Sequence, residues 1–146
     1  MKILFDTNII LDVFLNRKPF EATAIRLFSA VENKVIQGYL CSTTITTLDY
    51  LLSKSIGRVN SKHAIVSVLD LFNITEVNYR TLKAAVDSDF SDFEDAVLYF
   101  SGYDAGVDGV VTRNTNDFTA AQLPIYKPDD LWALVQTSTS FRFKDQ

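Results

Sequence analysis

The sequence predicts an α/β protein: a three-layer α/β/α sandwich around a central parallel sheet. Two observations carry that expectation. Short apolar, β-rich runs alternate with longer segments whose apolar residues recur at helical spacing, an order that needs crossover helices on both sheet faces. The chain is also long enough, at 146 residues and 47% hydrophobic content, for one well-buried core but not for two. One domain is expected over residues 1–137, followed by a polar tail over 138–146 that frays.

Lys2 to Phe5 forms the first expected strand, ending in Asp6-Thr7-Asn8, residue types suited to a strand end and a helix cap. A short helix over Ile9 to Leu15 stops near Pro19. A second, Phe20 to Asn33, places Ala24, Leu27, Phe28 and Val31 on one face. Gly38 to Cys41 is strand-like. Ser42-Thr43-Thr44 caps a helix running to about Ser55 and closed by Gly57, with an apolar stripe of Ile45, Leu48 and Leu52. Asn60-Ser61 opens the next helix, buried through Ile65, Val68, Leu69 and Phe72. Ile74 to Val77 suggests a strand, Thr81 to Asp87 a short helix and Ser91 to Gly102 a largely buried one. Gly109 to Thr112 and Ile125-Tyr126 complete the strands, and Pro128 starts a closing helix.

Composition narrows the chemistry. Eighteen acidic against fourteen basic residues give a net charge of −4, so no basic sleeve for nucleic acid is evident. Carboxylates gathered around a metal remain compatible with that balance. A single cysteine, Cys41, excludes an intramolecular disulfide, and with His63 as the single histidine a structural zinc cluster, a Ser-His-Asp triad and a Cys-His pair are not expected. His63 is expected to be an exposed bystander and Cys41 a core residue. No apolar run approaches the roughly 20 residues that span a bilayer. A soluble, cytoplasmic protein with no membrane association is the expectation.

Four acidic loci stand out. Asp6 follows a strand and so belongs at its carboxyl edge, although a residue in that place is also a natural helix cap. Asp49 falls within the stripe of Ile45, Leu48 and Leu52, where a carboxylate is costly unless the helix is rotated to bring it to water. Asp92, Glu94 and Asp95 occupy the first turn of an apolar helix, where the helix dipole alone favours acids. Asp117 follows Thr112-Arg113-Asn114 in a polar loop after a strand, which can equally be an ordinary turn. Brought to one crevice, carboxylates ~5 Å apart repel by roughly 3 kcal/mol per pair at an effective dielectric of ~20. Such a cluster calls for cations or raised pKa values. Oxygen ligands without nitrogen or sulfur select Mg²⁺ or Mn²⁺, which activate water and bind phosphate oxygens, equipment for phosphodiester hydrolysis without a protein nucleophile.

At Asp6-Thr7-Asn8, the acid Asp49, Asp95-Ala96 and Thr112-Arg113-Asn114 with Asp117-Phe118, the sequence resembles the PIN-domain family and, within it, the VapC-like toxin ribonucleases. The resemblance covers about Met1 to Leu131. It implies Mg²⁺- or Mn²⁺-dependent cleavage of RNA, a homodimer and a cognate antitoxin protein as partner. By position it gives Asp6, Asp49, Asp95 and Asp117 the catalytic and metal-binding roles. Asn8, Asp92, Glu94, Thr112 and Asn114 become supporting groups, and Arg113 a substrate-binding one. One departure is visible: the second acid is usually glutamate, and Asp49 is a methylene shorter.

Two other functions compete. A PIN-like scaffold that binds RNA or a protein without cutting fits the Asp49 departure and the acidic charge. Arg17, Lys18, Lys54, Arg58, Lys62 and Arg113 could track a phosphate backbone, or simply form a solvated face. A phosphatase using Asp6 as nucleophile lacks the nearby acid it needs, since Asn8 stands at the i+2 position.

Overall fold

A strand buried on both faces organises the chain. In β1 (Lys2–Phe5), Ile3, Leu4 and Phe5 are wholly buried, with Ile3 and Phe5 in one core and Leu4 in the other. That alternation is what a strand in the middle layer of a sandwich must show. The computed structural model describes residues 1–144. Its elements run β1, α1 (Thr7–Phe14), α2 (Glu21–Glu32), β2 (Gln37–Cys41), α3 (Ser42–Ile56), α4 (Arg58–Leu71), β3 (Asn73–Thr75), α5 (Tyr79–Asp87), α6 (Phe93–Asp104), β4 (Gly109–Val111), β5 (Ile125–Tyr126) and α7 (Pro128–Lys144). A 3₁₀ turn, Thr115–Phe118, separates β4 from β5.

The five strands are all parallel, in the order β3-β2-β1-β4-β5. Helices α1 to α4 and α7 cover one face over the larger core; α5 and α6 cover the other. The expected sandwich and parallel sheet are therefore present. From β1 the chain first winds outward through β2 and β3, then returns to place β4 on β1's other edge. The β1/β4 boundary is thus the point where strand order reverses, and a crevice opens there beyond the strands' carboxyl ends.

Local packing explains several sequence choices. Gly38 in β2 lies under Phe72: a Cβ there would fall 2.6 Å from the ring and 2.9 Å from Val31. Phe72 in turn meets Phe5 edge-on at 5.2 Å and Phe28 at 5.6 Å. Gly57, at φ +85°, turns α3 directly into α4, so α4 starts at Arg58 rather than at Asn60. Its buried face is Ser61, Ala64 and Val68, while Leu69, expected inside, is half exposed. Small residues win this face because α4 packs tightly along α3. The closing helix reaches Lys144, so the segment expected to fray from Ser138 is helical that far; it contains no Gly or Pro to stop it. Residues 145–146 of the expected tail lie outside the described residues. His63 is exposed and Cys41 buried, as expected. Among the described residues, no helix is long and apolar enough to cross a membrane.

Candidate active site

Asp6 sits where β1 ends and α1 begins, at the strand-order reversal. It occupies the N-cap position of α1, yet its side chain makes no capping hydrogen bond. Instead Oδ2 accepts from Thr112 Oγ1 at 2.8 Å, across the β1/β4 boundary. Thr112 Oγ1 also accepts from the Asn114 N–H at 3.1 Å, so the β4 exit loop is tied to the carboxylate. Asp6 is only 6% exposed. Burial raises its pKa most, and nearby Glu94 raises it further; the bonds from Thr112 and the Thr7 N–H, and the charge of Arg113, pull it down. The capping alternative for Asp6 is thereby set aside, since its carboxylate is aimed at β4.

A polar cleft of about 180 Å³ opens over Asp6, lined by Thr7 and Asn8 of α1, Thr43, Thr44 and Thr47 of α3, Glu94 and Asp95 of α6, and Asn114. Leu11, Leu51 and Leu98 form its apolar part. Asp95 is the most perturbed acid there, its pKa pushed up to about 7 by burial and then by the negative charges of Asp6, Asp92, Asp117 and Glu94. Asp92 itself is a helix cap, Oδ1 accepting from the Asp95 N–H at 2.9 Å, which fixes the first turn of α6 and the acid it carries. Asp117 opens from the 3₁₀ turn, anchored by the wholly buried Phe118 beneath it, close enough to act on Asp95 electrostatically but not among the cleft-lining residues. Glu94 is exposed on the cleft's outer wall, with Thr47 Oγ1 3.4 Å from its Oε1.

Asp49 is not brought to the cleft. It is exposed on α3, where its Oδ1 accepts from Ser61 Oγ of α4 at 2.9 Å and from Ser53 Oγ at 3.4 Å. The buried line of α3 is Thr44, Leu48 and Leu52, not one centred on Ile45. At ~100° per residue, Thr47 and Asp49 point about 200° apart, so a helix that turns Thr43 and Thr47 to the cleft must turn Asp49 away. Thr44 buries at no polar cost because its hydroxyl lies 3.0 Å from that of Thr7.

Arg113 also has another engagement. Its Nη2 donates to Asp12 Oδ1 at 3.1 Å, its Nε lies 2.9 Å from Oδ2 in an ion-pair contact, and the guanidinium stacks 4.0 Å from the Phe20 ring centroid. The Asp12 side chain is 1% exposed and that of Arg113 22%. Burial raises the Asp12 pKa, while Arg113 and, more weakly, Arg17 pull it down. Asp12 was missed as a site-supporting residue, though the signal was present: a lone carboxylate ending the run Ile9-Ile10-Leu11, all of it buried. Its pairing holds the loop bearing Thr112 and Asn114 onto α1.

Among the described residues, no three acidic, histidine or cysteine side chains converge as a ready-made metal cage. Mg²⁺ does not require one, because it keeps several waters and is held through one or two carboxylates together with substrate phosphates. Asp6 and Asp95 fit that pattern: the mutual repulsion that raises Asp95 is what a divalent cation would relieve.

Comparisons with known proteins bear on the family and the fold. The sequence profile described as PIN domain matches residues 2–116. Among solved structures, the chain is similar to VapBC2 from Rickettsia felis bound to a DNA fragment from its promoter, at 13% identity and a TM-score of 0.68 over 87% of this chain and 98% of that one. A toxin–antitoxin complex from Klebsiella pneumoniae is similar at 22% identity and a TM-score of 0.66, over 86% and 97% of the two chains. VapC20 from Mycobacterium tuberculosis, described as a Sarcin-Ricin loop cleaving toxin, is similar at 18% identity and a TM-score of 0.65, over 83% and 95%. Among curated protein sequences, none matches the chain.

Proposed function

Since the chain belongs to the PIN-domain family, we propose that it is a metal-dependent endoribonuclease, the toxin of a toxin–antitoxin pair that acts in the cytoplasm as a homodimer. The observation that carries the proposal is the meeting of Asp6, Glu94 and Asp95 in one polar cleft at the strand-order reversal. In this assignment Asp6 and Asp95 hold Mg²⁺ or Mn²⁺, with Asp117 adding negative potential and Glu94 a further carboxylate at the wall. Asp92 fixes the first turn of α6, and Asp49 ties α3 to α4 instead of entering the site. When bound, the metal supplies a water of lowered pKa and charge stabilisation for the phosphoryl oxygens.

The remaining work falls to the chain's own groups. Thr112 fixes the Asp6 carboxylate by its 2.8 Å bond to Oδ2, and Asp6 lines the cleft. Asp95, its pKa pushed up to about 7, can hold a proton at its carboxylate and would be one of the two carboxylates to hold the metal. Asn8, Asn114 and the α3 threonines offer neutral donors and acceptors to a polynucleotide strand, where more carboxylates would repel it. Support for an antitoxin partner comes from the similar solved structures, since two of the three named above are described as a VapBC or toxin–antitoxin assembly.

The deciding experiment is cleavage of a mixed RNA pool in Mg²⁺ or Mn²⁺ by wild type, Asp6→Asn and Asp95→Asn. Wild type alone should cut, and equal cleavage by all three would refute the assignment. A second function, a scaffold that binds RNA or protein without cutting, is favoured by one observation: α3 presents threonines to the cleft and no acid. It predicts a metal-dependent rise in melting temperature with no cleavage by wild type.

A further inference from the structure

With Arg113 committed to Asp12 and Phe20, the cation available to a polynucleotide at this cleft is a different one. Arg17 lies in the turn between α1 and α2, and its backbone is fixed on both sides. Its N–H donates to the Asp12 carbonyl at 3.2 Å, and its carbonyl accepts from the Phe20 and Glu21 N–H groups at 2.9 and 2.8 Å. Asn16 precedes it at φ +51°, a left-handed position that asparagine tolerates and that sets the direction of the turn. Phe20, at the turn's far end, carries the stacked Arg113, so the turn is bolted to the β4 exit loop. The Arg17 side chain is half-buried, and Nη1 donates to Asn8 Oδ1 at 3.2 Å; Asn8 itself lines the cleft. Of the five N–H donors a guanidinium offers, this is the only one engaged among the described residues.

We infer that Arg17, held at the rim of the carboxylate cleft by Asn8, contacts a backbone phosphate of the single-stranded RNA that the cleft cuts. The local charges support the assignment. Asp12 is held by Arg113 in a close ion pair and feels Arg17 only more weakly, which leaves Arg17 the less neutralised of the two positive charges, at the rim of a cleft whose interior is acidic. A strand crossing the cleft therefore finds one phosphate drawn to the acidic interior through a metal and another drawn to Arg17. A guanidinium fixed in advance loses less freedom on binding than a solvated one. A phosphate contact of this kind fixes the strand's register and carries no base preference.

The inference rests on the cleft's being a nuclease site, and the two are tested apart. Binding of labelled mixed-sequence single-stranded RNA is followed by fluorescence anisotropy across salt concentrations, in Mg²⁺, with Asp6→Asn as the uncut background. In that background Arg17→Gln, which keeps the stem and a donor for Asn8, and Arg17→Ala should each weaken binding about fivefold at ~0.1 M salt. Each should also lower the slope of log affinity against log salt by about 0.7, the release expected for one single-strand phosphate contact. Lys18→Ala, which removes a neighbouring exposed charge, should leave both quantities unchanged. Binding unaltered by Arg17→Gln, or weakened as much by Lys18→Ala, overturns the role of Arg17 alone. Absence of salt-dependent RNA binding by the background and by wild type alike, with no cleavage by wild type in Mg²⁺, overturns the nuclease assignment along with it. Melting curves of the Arg17 variants that match the background exclude misfolding as the cause of a weaker affinity.

Discussion

Removing the Arg113 side chain beyond its stem, as in Arg113→Met, leaves Asp12 as a carboxylate with 1% of its surface in water, no ion-pair partner and only the weaker influence of Arg17. Breaking a buried pair from that side costs about 3–5 kcal/mol, because the surviving charge stays buried and unpaired. The reverse change, Asp12→Asn, leaves a guanidinium that is 22% exposed and still stacked on Phe20, able to turn toward water and to keep donating a hydrogen bond to the asparagine oxygen. Its cost should be about 1–2 kcal/mol. At ~3 °C per kcal/mol for a domain of this size, Arg113→Met should melt roughly 10–15 °C below wild type.

The asymmetry also depends on pH. Burial already raises the Asp12 pKa and Arg113 lowers it, so loss of Arg113 raises it further. A carboxyl whose folded pKa lies above its unfolded value adds stability at low pH and loses it as pH rises through the folded value. The deficit of Arg113→Met should therefore widen as pH rises above the ordinary carboxylate range, whereas that of Asp12→Asn should not. Urea unfolding followed by Trp132 fluorescence and circular dichroism reads both quantities. A deficit for Arg113→Met no larger than that for Asp12→Asn, or one independent of pH, would refute the buried-pair account.

Three further outcomes follow from the site and its frame. Asp49→Asn should retain both metal-dependent stabilisation and RNA cleavage, losing at most about 1 kcal/mol from its bonds to Ser61 and Ser53, whereas Asp6→Asn should lose both activities. The contrast would fail if Asp49→Asn abolished the metal-dependent rise in melting temperature. Metal-free protein should lose stability as pH rises through about 7, because Asp95 is raised to that value and its protonated form favours the fold. Millimolar Mg²⁺ or Mn²⁺ should restore the loss at pH 8, and Asp95→Asn should flatten the profile; a melting temperature indifferent to pH in wild type would count against the repulsive cluster. Gly38→Ala should cost about 1–3 kcal/mol by pushing Phe72 away from Phe5 and Phe28, measurable as a lower urea midpoint at unchanged slope.

What the sequence revealed divides along the line between periodicity and partnership. β1, the start of α7 at Pro128, and the helices between were legible because apolar spacing and capping residues are local signals. The positions of Asp6 and Thr112 were legible too, because each directly follows a strand and parallel strands end on one side. Asp49 was not, since Ile45, Leu48 and Leu52 define a face equally well with or without Thr44, and a hydroxyl counts as polar until Thr7 is seen 3.0 Å away. Shifting the buried line by that one residue rotates Asp49 from the cleft to α4. Arg113 misled in the same manner: its place beside the site was correct, but its charge is spent on Asp12, whose partner lies 101 residues away in sequence. The same pairing is what makes Arg17 informative. Two arginines flank one buried carboxylate, and only the one it does not hold by a bidentate contact remains to meet a phosphate, so swapping the roles experimentally gives a sharper result than deleting either. In Asp12→Asn, Arg113 is released at the edge of the cleft. If Arg17 is the phosphate contact, adding Arg17→Gln to that variant should weaken RNA binding less than the about fivefold expected when Arg113 is still held, because the freed guanidinium can take over part of the contact.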